Sequence, residues 1–295
     1  MHAVDDHLTG FQRHRALLFS LAYRMLGSAT DAEDILQDAY LRFLSAPLAE
    51  IESPKAYLSA IVTRLCLNQL ASARARRETY VGPWLPEPVT DVDHPELVDP
   101  EAHAIEYESI SLAFLVLLER LTPAERAAFL LREVFRYEYG EIAEILGRSE
   151  ASCRQLFHRA QGHIAANRPR FEVSQDKHRR LLEEFSHAVQ HGDLGALAAM
   201  LADDATLWAD GGGRLPGAIL RPLRGRATIA QFLVAVTPRF TPPGARFSTA
   251  NVNGKPTLLG RRADGTTFLV VSIDTDAGGI RTIWAIANPD KLKAV

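Results

Sequence analysis

Tyr139-Gly140-Glu141-Ile142-Ala143-Glu144-Ile145-Leu146-Gly147-Arg148-Ser149-Glu150 is the stretch whose reading decides the fold of this 295-residue chain. It reads as a short helix closed by Gly147, a tight turn, and a new helix capped by Ser149, which is a helix-turn-helix pattern. In the second helix Cys153, Phe157, Ala160 and Ile164 fall on one face. That leaves Arg154, Gln155, His158 and Arg159 pointing outward. Arginine and glutamine on such a face suit guanine and adenine edges, or phosphates, in a major groove. The same facing would also serve a surface helix in an ordinary bundle.

Upstream of this motif, Thr122-Pro123-Ala124-Glu125 forms a capping box with proline in its tolerated place, followed by a buried stripe of Phe129, Leu130, Val134 and Phe135. Residues 11–77 read as helical throughout. Leu17, Leu18, Leu21, Ala22, Met25 and Leu26 recur at helical spacing and Gly27 supplies the stop. Thr30-Asp31-Ala32-Glu33 is expected to cap a second helix that buries Ile35, Leu36, Ala39, Tyr40 and Phe43 and shows Asp34, Gln37 and Asp38 on its other face. A third helix opens with Ser53 as cap and Pro54 at the first position, and runs through Leu58, Ile61, Val62, Leu65 and Leu70 to a basic tail of Arg64, Arg74, Arg76 and Arg77.

Between the helical blocks, residues 83–110 hold eight acidic side chains, no Lys or Arg, and five of the chain's 16 prolines. Regular helix or central strand is barred through most of this stretch, so it is expected to be a linker. Two basic helices separated by an acidic tether suggest two contacts with a polyanion, though solvated helix ends give the same pattern. The net charge of -3 and 47% apolar residues are those of an ordinary soluble chain, and the length predicts about two domains. No run approaches the roughly 20 apolar residues a bilayer needs. No signal-peptide pattern opens the chain, and the two cysteines, Cys66 and Cys153, form no zinc-binding cluster. A cytoplasmic protein without metal or cofactor is expected.

Beyond residue 176 the pattern changes. Helices over about His178–Gln190 and up to Leu201 are followed by strand-like runs at Ala205–Ala209, Arg246–Val252, Pro256–Arg262, Thr267–Ile273 and Gly279–Ile286, with a helix over Ala227–Val236 between them. This is an α+β domain with a curved sheet packed on helices.

The first two blocks, over roughly residues 8–168, resemble the extracytoplasmic-function class of bacterial RNA polymerase sigma factors. The ordered series carries the resemblance: Asp31 to Tyr40, Asn68-Gln69-Leu70 with its arginines, the acidic linker, and Leu121-Thr122-Pro123-Ala124-Glu125-Arg126 leading into the helix-turn-helix. The resemblance implies a transcription initiation factor that binds core RNA polymerase and promoter DNA and is not an enzyme. It implies two all-α domains, a region 2 bundle at 1–82 and a region 4 helix-turn-helix at 111–170. Asp34, Gln37 and Asp38 match the surface that docks on the polymerase. The helix from Tyr57 to Arg77 matches the segment that opens the minus ten element, with Tyr57 as an aromatic platform or core residue, Asn68 as a base-edge partner, and Arg64, Arg74, Arg76 and Arg77 on phosphates. Arg154, Gln155, His158 and Arg159 match the minus thirty-five reader.

The third block, 176–295, is similar to SnoaL-like cone domains, carried by a recognisable subgroup of these sigma factors. Two of the subgroup's signatures are present: Trp84-Leu85-Pro86-Glu87-Pro88 in the linker, and Asp210-Gly211-Gly212-Gly213-Arg214 after the first strand of the extension. Arg214 stands where the subgroup usually has lysine. Asn288-Pro289-Asp290-Lys291-Leu292 resembles its tail. A three-glycine turn marks a sharp bend or a close approach, and a Trp stiffened by prolines is an odd residue to leave in water, so the two motifs are expected to touch. By resemblance the extension is a built-in regulator that replaces a separate anti-sigma factor. A small-molecule ligand in its cavity is carried as an open expectation. So is chemistry at Asp210, His187, His191 and Trp208, and so is the alternative of a helix-turn-helix regulator with a sensing or enzymatic SnoaL-like domain.

Overall fold

In the computed structural model the described residues are 2–77, 80–97, 110–167, 174–214, 219–276, 278–293 and 295. The chain divides into two compact units, one of Met1–Glu78 with His94–Arg168 and the other of Thr79–Asp93 with Pro169–Val295.

The first unit is all helical. Helix α1 (His2–Leu26) buries Leu18, Phe19, Leu21, Ala22, Tyr23 and Met25 completely. Gly27, at φ 68°, ends it, and its N–H returns to the Tyr23 carbonyl at 2.7 Å. Because the left-handed glycine turns the chain so sharply, the next residue already caps α2 (Ala29–Leu44): Ser28 Oγ accepts from Asp31 N–H at 3.1 Å. The expected box at Thr30 therefore sits two residues too late. Helix α3 (Pro54–Arg77) starts as its sequence requires, with Ser53 Oγ accepting from Ala56 N–H, and buries Leu58, Val62, Leu65, Cys66 and Leu70.

Helix α4 (Leu112–Glu119) leads into α5 (Pro123–Phe129), whose capping box is reciprocal: Thr122 Oγ1 accepts from Glu125 N–H and Glu125 Oε2 accepts from Thr122 N–H. The helix then widens into one π-turn, Leu130–Val134. The extra residue shifts the phase, so Phe135 of the expected stripe is only half-buried, while Tyr137, beyond the left-handed Arg136 that follows the helix end, is buried. Helices α6 (Tyr139–Leu146) and α7 (Glu150–Asn167) form the helix-turn-helix, with Gly147 left-handed at φ 62° between them.

The second unit is a mixed six-stranded sheet with helices packed against it. Helices α8 (Gln175–His191), α9 (Leu194–Met200) and α10 (Arg226–Phe240) accompany strands β1 (Leu201–Asp210), β2 (Leu223–Arg224), β3 (Arg246–Val252), β4 (Lys255–Arg261), β5 (Thr267–Asp276) and β6 (Gly279–Ile286). Their order is β2-β1-β6-β5-β4-β3, with β1 and β6 parallel and the other pairs antiparallel. Leu182, Phe185, Leu197, Leu207, Ile229, Ile273 and Ile283 build the core between sheet and helices. Helix α10 runs four residues past its expected end at Val236, with Pro238 inside it. This is the α+β cone architecture expected for the extension.

Candidate functional site: DNA-reading faces and a clasped linker

The recognition-helix geometry follows from its turn. With Cys153, Phe157, Ala160 and Ile164 buried, Arg154, Gln155, His158 and Arg159 are all exposed. Arg154 is held at 2.9 Å by Glu150 one turn earlier and lies over the Tyr139 ring at 4.2 Å. Arg159 Nε meets Glu125 Oε1 at 3.0 Å, so the capping box of α5 also orients this arginine. Two cations are thus fixed in direction before any ligand arrives.

On α2, Asp34, Gln37 and Asp38 are exposed as expected. Leu41 completes their face, and it is 62% exposed. The sequence reading missed it, although Asp34, Gln37, Asp38 and Leu41 recur at helical spacing.

On α3, Tyr57 is 38% exposed with its ring 6.2 Å from Phe43, and Asn68 is exposed. Arg64 is already engaged: Nε donates to the Ile145 carbonyl at 3.2 Å and Nη2 to the Glu144 carbonyl at 3.1 Å, at the C-terminal end of α6. A guanidinium at a helix C-terminus gains from the partial negative charge there. One turn earlier Ser59 Oγ and Tyr137 Oη lie 2.7 Å apart, and Lys55 Nζ is 5.1 Å over the same Tyr137 ring. Arg126 sits deep in the same helical unit, 3% exposed, bonded to the Met25 carbonyl and to Glu119 at 2.7 Å. Burial depresses its guanidinium to about 10. Among the described residues its Nε and the Thr63 Oγ1 have no hydrogen-bond partner. The side chains of Arg74, Arg76 and Arg77 lie outside the described residues.

In the second unit the two glycine- and proline-rich motifs meet. The Asp210 carboxylate, wholly buried, accepts from Tyr80 Oη, from Leu85 N–H at 2.9 Å, from Gly212 N–H at 3.1 Å and from Lys291 Nζ at 2.6 Å. Lys291 also donates to the Leu85 carbonyl and stands 4.1 Å over the Trp84 ring. Asn288 Nδ2 donates to Tyr80 Oη at 3.0 Å. Burial, and then the bond it donates to Asp210, hold the Tyr80 hydroxyl protonated above its ordinary range. Leu85, Pro86, Glu87 and Pro88 are buried. Beyond them Val89 and Asn253 exchange two bonds, Thr90 bridges Val252, and Gly254 N–H reaches Asp91 at 3.0 Å.

The glycines are there for room. Gly212 (φ 62°) would drive a Cβ to 2.6 Å from Asn288, and Gly213 (φ 70°) to 2.9 Å from Val81. Arg214 pairs with Asp290 at 2.7 Å in the open. The compact ammonium facing Asp210 comes from Lys291, which the sequence reading noted only as part of a tail.

The side chains considered for catalysis do not converge. His187 and His191 stack at 4.0 Å on the exposed face of α8, and Trp208 stacks on Trp284 across the sheet. Asp210 has its oxygens committed to the linker. Among the described residues no cluster of His, Cys, Asp or Glu fits a metal ion, and no helix is long and apolar enough to cross a membrane.

Two family models match: Sigma-70 region 2 over residues 11–76 and Sigma-70, region 4 over residues 111–163. The chain is 37% identical over 292 residues to the ECF RNA polymerase sigma factor SigJ of Mycobacterium tuberculosis, covering 95% of this chain and 91% of that protein. It is 29% identical over 286 residues to SigG of the same species, covering 86% and 74%. The crystal structure of the SigJ protein superposes with a TM-score of 0.75 at 30% identity, covering 97% of this chain and 98% of that one.

Proposed function

Because this chain belongs to the extracytoplasmic-function family of RNA polymerase sigma factors, which direct RNA polymerase to promoters, we propose that its third domain regulates that activity from within the chain. The observation that carries this reading is the clasp on the linker. Asp210, Asn288 and Lys291 grip Tyr80, Trp84 and Leu85, which lie in the chain segment between region 2 and region 4. A segment held by a buried carboxylate and a buried ammonium is either docked or released, since losing one partner strands the other's charge.

In this reading Asp34, Gln37, Asp38 and Leu41 meet core polymerase, with Leu41 as the apolar centre of a polar rim. Arg154, Gln155, His158 and Arg159 read the minus thirty-five element. Tyr57, Arg64, Asn68, Arg74, Arg76 and Arg77 engage the minus ten element. Arg64 can take a phosphate only after leaving the carbonyls of Glu144 and Ile145, so promoter binding by α3 requires α3 and α6 to part. The regulator being part of the chain, no separate anti-sigma protein is needed.

The test is in vitro transcription from a genomic promoter library with purified core RNA polymerase, comparing the full chain with one ended after Phe171. Core-dependent transcripts that change in amount on truncation support a sigma factor with a regulatory tail. Identical transcript sets from both forms would remove the regulatory role.

A further inference from the structure

Between the sheet and α8 and α10 lies a cavity of ≈ 230 Å³, walled by Phe185, Phe232, Phe240, Phe247, Phe268 and Leu233 among others. Packed interiors leave few voids larger than a water, and water does not settle in a space lined by carbon. Of the polar side chains in the wall, Ser186, Gln190, Thr237, Thr267 and Asp210 are already committed. Ser186 Oγ accepts from Gln190, Thr237 Oγ1 donates to the Leu233 carbonyl, Thr267 Oγ1 donates to the Val295 carbonyl at 2.5 Å, and Asp210 is neutralised by Lys291.

Arg262 is different. It lines the cavity yet is exposed, its guanidinium 5.6 Å over the Phe268 ring. The fully exposed Asp264, two residues on, lies close enough to interact with it electrostatically. Among the described residues the site therefore offers an aromatic interior and a single positive charge at its rim.

We propose that this cavity binds one small amphipathic acid, its apolar body among the phenylalanines and its carboxylate on Arg262. The wall explains what binding would do. Ala287, Pro289 and Leu292 line the cavity, as does Asp210, while Asn288 and Lys291, interleaved with the first three, hold Tyr80, Leu85 and Asp210. One short segment is both cavity wall and linker clasp, so occupancy of the first is read by the second. This consequence rests on the regulatory reading above; the binding itself does not.

The experiment uses the full chain and two dyes that share a skeleton, 1-anilinonaphthalene-8-sulfonate, an anion, and N-phenyl-1-naphthylamine, which is neutral. Each is expected to bind saturably at one site. Arg262→Gln should weaken the sulfonate about tenfold and leave the neutral dye unchanged, as loss of one charge-assisted contact predicts. Val236→Phe, which puts a ring into the cavity, should weaken both while melting stays cooperative. Should that variant unfold, competition decides in its place: decanoate should displace the sulfonate at lower concentration than decanol does. Trp84→Ala lies outside the cavity wall, and by reciprocity of coupled sites it should shift dye affinity about threefold.

Unaltered binding in Val236→Phe, or equal displacement by acid and alcohol, would overturn the site or its ligand class. Equal loss of both dyes in Arg262→Gln would overturn the carboxylate assignment. Unaltered affinity in Trp84→Ala would sever the cavity from the linker. None of these measurements involves polymerase, so failure of the regulatory reading alone would show as normal dye binding with transcription indifferent to truncation.

Discussion

Lys291 Nζ stands 2.6 Å from Asp210 Oδ2, with the lysine side chain 12% exposed and the aspartate wholly buried. A pair so placed contributes little net stability by itself, because desolvation offsets attraction, but its loss is one-sided. Lys291→Met should destabilise the second unit by roughly 3 kcal/mol and expose residues 80–93 to protease, leaving the helical unit folded. Proteolysis at the parent rate would mean that the linker is held by its buried prolines and Leu85 instead.

Replacing Arg154 and Arg159 together by alanine should abolish promoter-directed transcription and leave core polymerase binding intact. Both side chains lie on the solvent face of α7, so thermal stability should fall by under about 1 kcal/mol. Parallel loss of core binding and transcription would mark the helix as structural.

In the proposed reading Leu41 is the apolar centre of the polymerase-facing patch on α2. Leu41→Asp should weaken core binding about tenfold or more without lowering the melting temperature, since an exposed leucine adds nothing to the folded core. A pull-down of core polymerase matching the parent would remove Leu41 from the interface.

The helical unit holds a buried arginine with an unsatisfied Nε. Apolar groups of similar volume often replace buried ion pairs without loss, whereas cavities do not forgive. Arg126→Met combined with Glu119→Gln, which removes both charges and keeps the volume, should therefore unfold in urea near the parent midpoint, while Arg126→Ala, which leaves Glu119 unpaired beside a cavity, loses several kcal/mol, about 3 or more. Equal damage from both would show that the guanidinium itself is required.

His178 is buried against β4, its Nε2 3.2 Å from the Pro256 carbonyl. Burial first, then Lys255, with a smaller share from Arg179, lowers its pKa below the ordinary 6.5, against the pull of the Pro256 carbonyl and Asp274. A depressed folded pKa means that the unfolded chain binds the proton more readily, so stability rises with pH through this range. The second unit should keep its full stability above about pH 6.5 and lose it as the pH falls toward the folded value. Melting curves between about pH 7.5 and pH 5 should show that slope, and His178→Gln should flatten it.

Local signals in the sequence carried the helical blocks well. Thr122, Ser53, Ser149 and Gly147 act within one turn of themselves, so their caps and stops were legible. Ser28 was missed because it depends on what Gly27 does to the chain direction. Tyr137 was missed because it lies past the end of the helix, beyond the left-handed Arg136, where no helical stripe reaches. The meeting of Trp84 and Leu85 with Asp210 could be anticipated from an awkward tryptophan and three glycines. The identity of the gripping groups could not: Tyr80, Asn288 and Lys291 are ordinary polar residues until the β1 and β6 ends bring them around one carboxylate. Arg64 likewise read as a phosphate contact, and nothing in its spacing announced the carbonyls of Glu144 and Ile145.

The bonds that hold residues 80–93 on the second unit also set a length. From Arg77 to Leu112 a free chain could extend roughly 115 Å, at about 3.3 to 3.6 Å per residue. While the clasp holds, the docked stretch keeps the fixed span that its bonds give it and no longer adds to that reach. In the proposed regulatory reading the clasp is thus a ruler as well as a lock, shortening the tether between the two DNA-reading regions until the linker is let go.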